Sequence, residues 1–391
     1  MSATSFTVSN PLDVRAAPEA RARGVENQNQ AVLGRARREG VFGLGESYIR
    51  GEWSVHRLDE VLYGVFTAPP TRRSARHRLQ RLGAIVLDRL LNRQAGRGAF
   101  DIGRAHYDLG DPLFRAMLDE SMTYTCGVWA GASTLGGAQR AKLELICRKL
   151  RLRPGLHVLD IGCGWGNFAR YAAERFGVRV TGITVSARQA DTARERCRGL
   201  PVDIRLQDYR ELNETFDRVV SVEMIEAVGR RNLGAFYRVV DRCLSDEGVF
   251  VLQAISADTL SRTSHPALDD LVLWLLKHIF PRGYLPAQHE LVAPRDTSLL
   301  IEGWQSFGPD YDRTLGAWAA NFNGAWDQLR DQYGDAFRRR WNFYLHACMA
   351  AFRARLIDVH QIVYARGGGR HRGRSAPANT GDGRHRGGAS T

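Results

Sequence analysis

Val158-Leu159-Asp160-Ile161-Gly162-Cys163-Gly164-Trp165-Gly166 is the stretch on which the fold is decided. The apolar residues around Asp160 read as a buried strand, and three glycines at alternate positions make a turn tight enough for backbone to touch a ligand. A helical pattern from Phe168 to Phe176 follows directly, so the turn sits at a strand-to-helix junction, where α/β sheets place their ligands. A dinucleotide site would use G-x-G-x-x-G with an acidic residue about 20 positions on for the ribose. Here the spacing is D-x-G-x-G-x-G, and the next strand pattern, 178–183, runs into Thr184 with no acid. The stretch therefore reads as an S-adenosylmethionine pocket, with Asp160, Gly162, Gly164 and Gly166 around the methionine end of the cofactor.

Outward from this turn, strand and helix patterns alternate. Strands are predicted at 157–161, 178–183, 202–206, 216–222 and 249–255, with helices at 167–176, 187–197 and 231–243. That alternation predicts an α/β fold, a largely parallel, doubly wound sheet of the Rossmann-like class I methyltransferase kind. Gly177 and Gly248 fall where helix ends and turns need them. After Ile255 the alternation stops, and a largely helical segment to about residue 310 is expected to build a substrate cover. Leu315, Trp318, Ala319, Phe322, Trp326 and Leu329 then form a stripe at helical spacing, the pattern of plain core. The expected domains are a loose lead-in over 1–30, a small N-terminal domain over 31–100 broken at Pro69-Pro70, the methyltransferase domain over 101–365, and a disordered basic tail over 366–391.

The net charge of +13 is unevenly spread. Residues 1–100 carry 16 Arg or Lys against 9 acids and residues 366–391 carry 6 against 1, which leaves +1 for everything between. A nucleic-acid enzyme keeps its basic stripe beside the active site, so a nucleic-acid partner is not expected. Eight arginines and one acid lie between Arg72 and Arg97, interleaved with Leu79, Leu82, Val86 and Leu90. This run reads either as a basic amphipathic helix drawn to anionic lipid or as the solvated face of an ordinary helix. No apolar stretch reaches the roughly 18 residues of a membrane span, and the N-terminus lacks the apolar core of a signal peptide. A cytoplasmic protein, peripheral at the inner membrane surface, is the expectation. The six cysteines occur singly, without Cys-x-x-Cys spacing, and no metal site is expected.

Further blocks recur along the chain: Gly43-Leu44-Gly45-Glu46-Ser47-Tyr48, Gly51-Glu52-Trp53, His106-Tyr107-Asp108-Leu109-Gly110, Met122-Thr123-Tyr124-Thr125-Cys126, Gln207-Asp208-Tyr209, Ile279-Phe280-Pro281, Phe307-Gly308-Pro309-Asp310-Tyr311 and Ala351-Phe352-Arg353-Ala354-Arg355. Together with the glycine run they resemble the cyclopropane-fatty-acyl-phospholipid synthases and their mycolic-acid relatives over most of the chain. The resemblance implies methyl transfer from S-adenosylmethionine to the cis double bond of a membrane phospholipid acyl chain, ring closure by loss of a proton to bound bicarbonate, and a homodimer.

By the same resemblance, Tyr124, Thr125, Gly162, Gly164, Gly166, Thr184 and Gln189 contact the cofactor, with Asp208 and Tyr209 around the adenine. Bicarbonate would be held by Cys126, Glu226, the backbone at Ile255, and Tyr311. Glu226 would accept from its hydroxyl, while Cys126 and Tyr311 would donate to the anion. Taken singly, a lone Cys is core and a Glu after a strand is a cap or an ion-pair partner. Two departures bear on this cradle. Gln253 stands where many members have a His that helps hold bicarbonate, and Glu223-Met224-Ile225-Glu226-Ala227 stands where they read Gly-x-Phe-Glu-His. Gln donates an amide proton but carries no charge, so weaker bicarbonate binding is expected; the combination resembles plant-type cyclopropane synthases.

Three other readings remain at this point. The same methyl transfer could end in a methylene- or methyl-branched chain. The basic composition also suits methylation of a nucleic acid or small metabolite, and an altered cradle suits a lipid-binding protein without turnover.

Overall fold

The computed structural model describes residues 25–26, 30–69, 110–257, 265–281 and 283–367. Its main sheet holds β1 (His157–Ile161), β2 (Arg179–Thr184), β3 (Val202–Leu206), β4 (Phe216–Val222), β5 (Leu244–Ala257), β6 (Leu299–Ser306) and β7 (Ile357–Arg366). The strand order is β3-β2-β1-β4-β5-β7-β6. The first five strands are parallel, and β7 runs antiparallel to both of its neighbours. Strand order reverses between β1 and β4, which opens a crevice at their carboxyl ends where such sheets bind ligands.

Successive side chains of β1 point to opposite faces, and each face has its own core. Val158 packs with Leu143, Ala169 and Ala193 of helices α4 (Leu135–Lys149), α5 (Asn167–Phe176) and α6 (Ala187–Arg196). Leu159 and Ile161 pack on the other face with Phe236 and Val240 of α7 (Leu233–Cys243). A strand covered on both faces reads as one apolar run, which is why Asp160 stands out in it.

A helical layer adjoins the carboxyl ends of the strands. It contains α1 (Gln30–Ile49), α2 (Leu58–Thr67), α3 (Asp111–Met117), α8 (Pro266–His278), α9 (Gly308–Gly324) and α10 (Trp326–Arg353). Trp274, Trp318 and Trp341 are its largest buried side chains, and its apolar cluster reaches the sheet at Ala257, Ile357 and Val359 and the glycine turn at Trp165. Arg353 of α10 bridges Asp59 of α2 and Asp312 of α9, each at 2.9 Å. The Val41 N–H of α1 donates to Asp270 of α8 at 3.1 Å.

The N-terminal domain expected over 31–100 is described only to residue 69, and those residues share the apolar cluster of α8 to α10. The arginine run 72–97 and the tail beyond residue 367 lie outside the described residues. The expectation of a helical segment from 255 to 310 needs correction: α8 is helical, but β6 adds an edge strand to the sheet. Leu300 and Ile301 of β6 are 62% and 40% exposed, so the strand lacks the alternation that marks a half-buried one. Strand β7, wedged between β5 and β6, was likewise not expected. Among the described residues no helix is long and apolar enough to cross a membrane.

Candidate active site

The glycine turn is drawn against β2 by two bonds, from the N–H groups of Gly162 and Cys163 to the Ile183 carbonyl, both 3.0 Å. Gly162 has φ of 84°, and a Cβ there would lie 2.6 Å from Met224 Cγ. Gly164, at φ 54°, faces open space, so backbone rather than side chain meets whatever enters. Asp160 is 2% exposed and its Oδ2 has no hydrogen-bond partner. Burial pushes its carboxyl up to about 7. A buried acceptor without a partner costs on the order of 1–3 kcal/mol, a cost that a cationic or hydrogen-bonding ligand removes.

The other residues expected at the cofactor gather on the same cavity, about 440 Å³ in volume: Tyr124, Thr125, Thr184, Gln189, Asp208 and Tyr209. The loop carrying Tyr124 and Thr125 is pinned from several sides. Asn167 donates to Thr123 at 2.9 Å, Gln139 donates to the Thr125 carbonyl at 2.8 Å, and the Tyr124 and Tyr344 hydroxyls share a bond of 2.7 Å. Thr184 donates to Gln189 Oε1 at 2.9 Å. Burial works against the charge on Asp208, but bonds from the Arg210 guanidinium and backbone outweigh it and hold the carboxyl below its ordinary value. Gly166 does not line the cavity; it precedes α5, and a Cβ there would crowd Ala193 and Cys197 of the neighbouring α6 segment.

At the far side of the turn the structure differs from the expected cradle. The centre of the hydrogen bonding is Glu223. Its Oε1 accepts from the Cys126 backbone N–H at 2.9 Å and from Gln253 Nε2 at 2.7 Å, and its Oε2 accepts from the Tyr311 hydroxyl at 2.6 Å. The Cys126 thiol instead donates toward the Gly127 carbonyl at 3.2 Å, and burial, with the charge of Glu223, keeps it neutral. Cys126 and Gln253 lie behind Glu223 and do not line the cavity, whereas Glu226, Ile255 and Tyr311 do. Glu226 accepts from the Ile255 N–H at 2.6 Å, so these two residues, each expected to face bicarbonate, bond to one another, and the Glu226 Oε2 is buried without a partner. Burial and the nearby charge of Glu223 push the Glu226 carboxyl up to about 8. The Cys126 backbone N–H, the Gln253 amide and the Tyr311 hydroxyl thus go to a protein carboxylate and the Cys126 thiol to a backbone carbonyl, and a bicarbonate ion does not fit the donor set as it stands.

One wall of the cavity is apolar. Leu268, Leu271, Val272, Leu275 and Leu276 of α8 follow the i, i+3, i+4, i+7, i+8 spacing of a single helix face, and all five line it. The cavity therefore runs from a polar, glycine-lined end past two buried carboxyl groups to a hydrocarbon-like lane.

Residues 95–362 match the family model described as mycolic acid cyclopropane synthetase. The chain belongs to this family. It is 44% identical over 340 residues to the cyclopropane-fatty-acyl-phospholipid synthase of Escherichia coli K12, covering 87% of each protein. It is 33% identical to the tuberculostearic acid methyltransferase UfaA1 of Mycobacterium tuberculosis, over 86% of this chain and 82% of that one. Among solved structures, the cyclopropane synthase MmaA2 from Mycobacterium tuberculosis aligns with a TM-score of 0.65 at 31% identity, covering 68% of this chain and 98% of the other. The mycolic acid cyclopropane synthase CmaA1, solved with SAH and CTAB, aligns with a TM-score of 0.64 at 30% identity over the same shares. The chain is accordingly a methyltransferase of the S-adenosylmethionine-dependent kind.

Three residues that matter to this geometry escaped the sequence reading. Lys142 is fully buried, donates to Thr125 Oγ1 at 2.7 Å and Gln139 Oε1 at 2.8 Å, and burial brings its ammonium down to about 8. Its position between Ala138, Leu143 and Ile146, on the apolar face of α4, was the available signal. Gln361 of β7 sits opposite Gln253 in register and donates to it at 2.9 Å. Glu223 itself was visible as a departure from the family pattern, but not as the hub of the site.

Proposed function

We propose that this chain transfers the methyl group of S-adenosylmethionine to the cis double bond of a phospholipid acyl chain and closes a cyclopropane ring there. The observation that carries the reading is the single cavity joining the glycine turn and unpartnered Asp160 to the apolar face of α8. Asp160, the backbone at Gly162 and Gly164, Tyr124, Thr125, Thr184, Gln189, Asp208 and Tyr209 are the residues proposed to hold the cofactor. When bound, S-adenosylmethionine supplies an electrophilic methyl group.

The remaining work falls to the protein. An alkene is a weak nucleophile, so the double bond must be held at near-attack distance, which is a positioning task. The α8 face and Leu315 offer the acyl chain contact along its length. Methyl addition leaves a positive charge on the chain, and Tyr311, Tyr344, Phe280 and Phe352 place aromatic rings around the cavity; ring faces attract cations. The same walls keep out water that would trap the cation. Because the bicarbonate expected from the resemblance finds its donors already engaged, no step of this reading passes through it.

Among the described residues no helix is long and apolar enough to cross a membrane, and we infer that the chain meets a bilayer substrate by peripheral attachment at the cytoplasmic membrane surface. That attachment and a homodimer belong to the same reading, and vesicle co-sedimentation and sedimentation velocity test them. The activity itself is tested by incubating purified protein with S-adenosylmethionine and vesicles of cis-unsaturated phospholipid. An acyl mass gain of one CH₂ with upfield cyclopropane protons in the NMR spectrum is expected. Olefinic methylene signals would transfer the assignment to a branched product, and unchanged lipid across headgroups would defeat the proposal.

A further inference from the structure

Glu223 occupies a backbone position that does not suit it. Its φ is 49°, in the left-handed region, where a residue with a Cβ is strained by on the order of 1–2 kcal/mol. The carboxylate held there has both oxygens engaged by donors. Cys126 N–H and Gln253 Nε2 donate to one oxygen at 2.9 and 2.7 Å, and the Tyr311 hydroxyl donates to the other at 2.6 Å. The donors are themselves fixed. Gln253 Oε1 accepts from Gln361 at 2.9 Å, Gln361 Oε1 accepts from Lys149 Nζ at 2.7 Å, and the Tyr311 ring stacks on Phe352 with centroids 4.6 Å apart. A carboxylate offers about four lone-pair positions; three are taken here, and Glu223 lines the cavity. Three of the positions that the family resemblance places around an anion, Cys126, Gln253 and Tyr311, therefore converge on an anion that belongs to the chain.

We propose that Glu223 is the base of the ring-closing step and that this enzyme turns over without bicarbonate. The proposal rests on the methyl-transfer reading above. In the step, a C–H bond of the newly added methyl breaks and its proton goes to the Glu223 carboxylate. The electron pair of that bond forms the carbon–carbon bond that closes the ring and quenches the cation. The resulting carboxylic acid returns the proton to water as product leaves.

The groups around Glu223 support its charged form over that of its neighbour. Burial raises the Glu223 carboxyl, while Tyr311, Cys126 N–H, Gln253 and the Lys142 ammonium all act to lower it. Glu226 has one donor, from Ile255, and an oxygen with none. Of two carboxyls that repel one another when both are charged, Glu226 is the one that keeps the proton. The Tyr311 phenol and Cys126 thiol are held neutral by burial and by Glu223.

The experiment compares wild type, Glu223→Gln and Glu223→Gly in carbon dioxide-free buffer, with and without added bicarbonate, and follows binding of ¹³C-bicarbonate by NMR. Wild-type turnover is expected to be the same with and without the ion and to show no bound ¹³C signal. Glu223→Gln, which keeps the shape but cannot take a proton, should lose at least about 100-fold in kcat, the scale of a general base, with S-adenosylmethionine affinity retained. Glu223→Gly vacates the anion position and should bind ¹³C-bicarbonate and recover activity in its presence. A wild type that binds bicarbonate or is stimulated tenfold or more by it, or a fully active Glu223→Gln, would overturn the base assignment alone. Wild type that makes no product from any lipid, with or without the ion, would overturn the methyl-transfer reading and the base assignment with it.

Discussion

At the glycine-turn end of the cavity Asp160 keeps a carboxylate oxygen buried and without a partner, whereas at the acyl end Glu223 has both oxygens engaged by three donors. Both are acids taken out of water, and burial raises both. The difference lies in who completes the hydrogen bonding. In the proposed function the cofactor completes Asp160, so part of its stabilisation would arrive on binding. Glu223 is completed by the protein and is rigid before any ligand enters, as a reacting group must be. One end is built to exchange its occupant, the other to keep it.

The contrast breaks most sharply at Asp160. Asp160→Asn is expected to weaken S-adenosylmethionine binding by about 10- to 100-fold, the worth of a hydrogen bond to a charged group, measured by calorimetry. The same substitution should raise the melting temperature of the ligand-free protein, since it removes a buried ionisable group. The sign follows from linkage. The native carboxyl holds its proton up to about pH 7, higher than in the unfolded chain, so ligand-free stability falls as pH rises from the ordinary aspartate range through 7. Cofactor affinity should run the other way, rising with pH and levelling off above about 7. Loss of cofactor binding without a gain in melting temperature would contradict this account.

A smaller effect is expected along the acyl lane. Val272→Asp puts a charge on the apolar α8 face and should cut turnover on lipid vesicles by about tenfold, the scale of 1–2 kcal/mol of lost apolar contact, while leaving cofactor affinity intact. If affinity falls equally, the two ends of the cavity are not separable. Gln361→Leu tests the support of Glu223 instead. It frees the Gln253 amide, weakens a donor to the carboxylate and should move the acidic limb of the pH–rate profile upward, with KM unchanged. The smallest effect belongs to the helical layer. Asp59→Asn removes one charged partner of Arg353, which keeps Asp312, and for a guanidinium one-third exposed and still paired should cost about 1 kcal/mol, read as a small drop in melting temperature with activity unchanged.

The glycine turn and the strands up to 255 were legible because a doubly covered parallel sheet writes itself as apolar runs separated by amphipathic helices. Strand β6 was not, because Leu300 and Ile301 face outward on an edge and leave no alternation to detect. Cys126 was legible as a position but not as a group: the sequence suggests a thiol, and the fold uses its backbone N–H. Lys142 reads as one more helix cation until Thr125 and Gln139 are seen around it. Glu223 was noticed only for what it displaced, since a carboxylate gathering donors from three distant segments leaves no mark in local spacing.

The left-handed backbone at Glu223 has a consequence for how this enzyme meets its surroundings. A base that is a free ion rises and falls with dissolved carbon dioxide, so its occupancy follows aeration, acidity and respiration. A base carried on the chain is present at one copy per site whatever the gas phase. Glycine would relax the backbone at that position but leave three buried donors without an acceptor, so the hydrogen bonds that Glu223 completes hold the strained residue in place, and what they hold in place is a reaction uncoupled from the atmosphere.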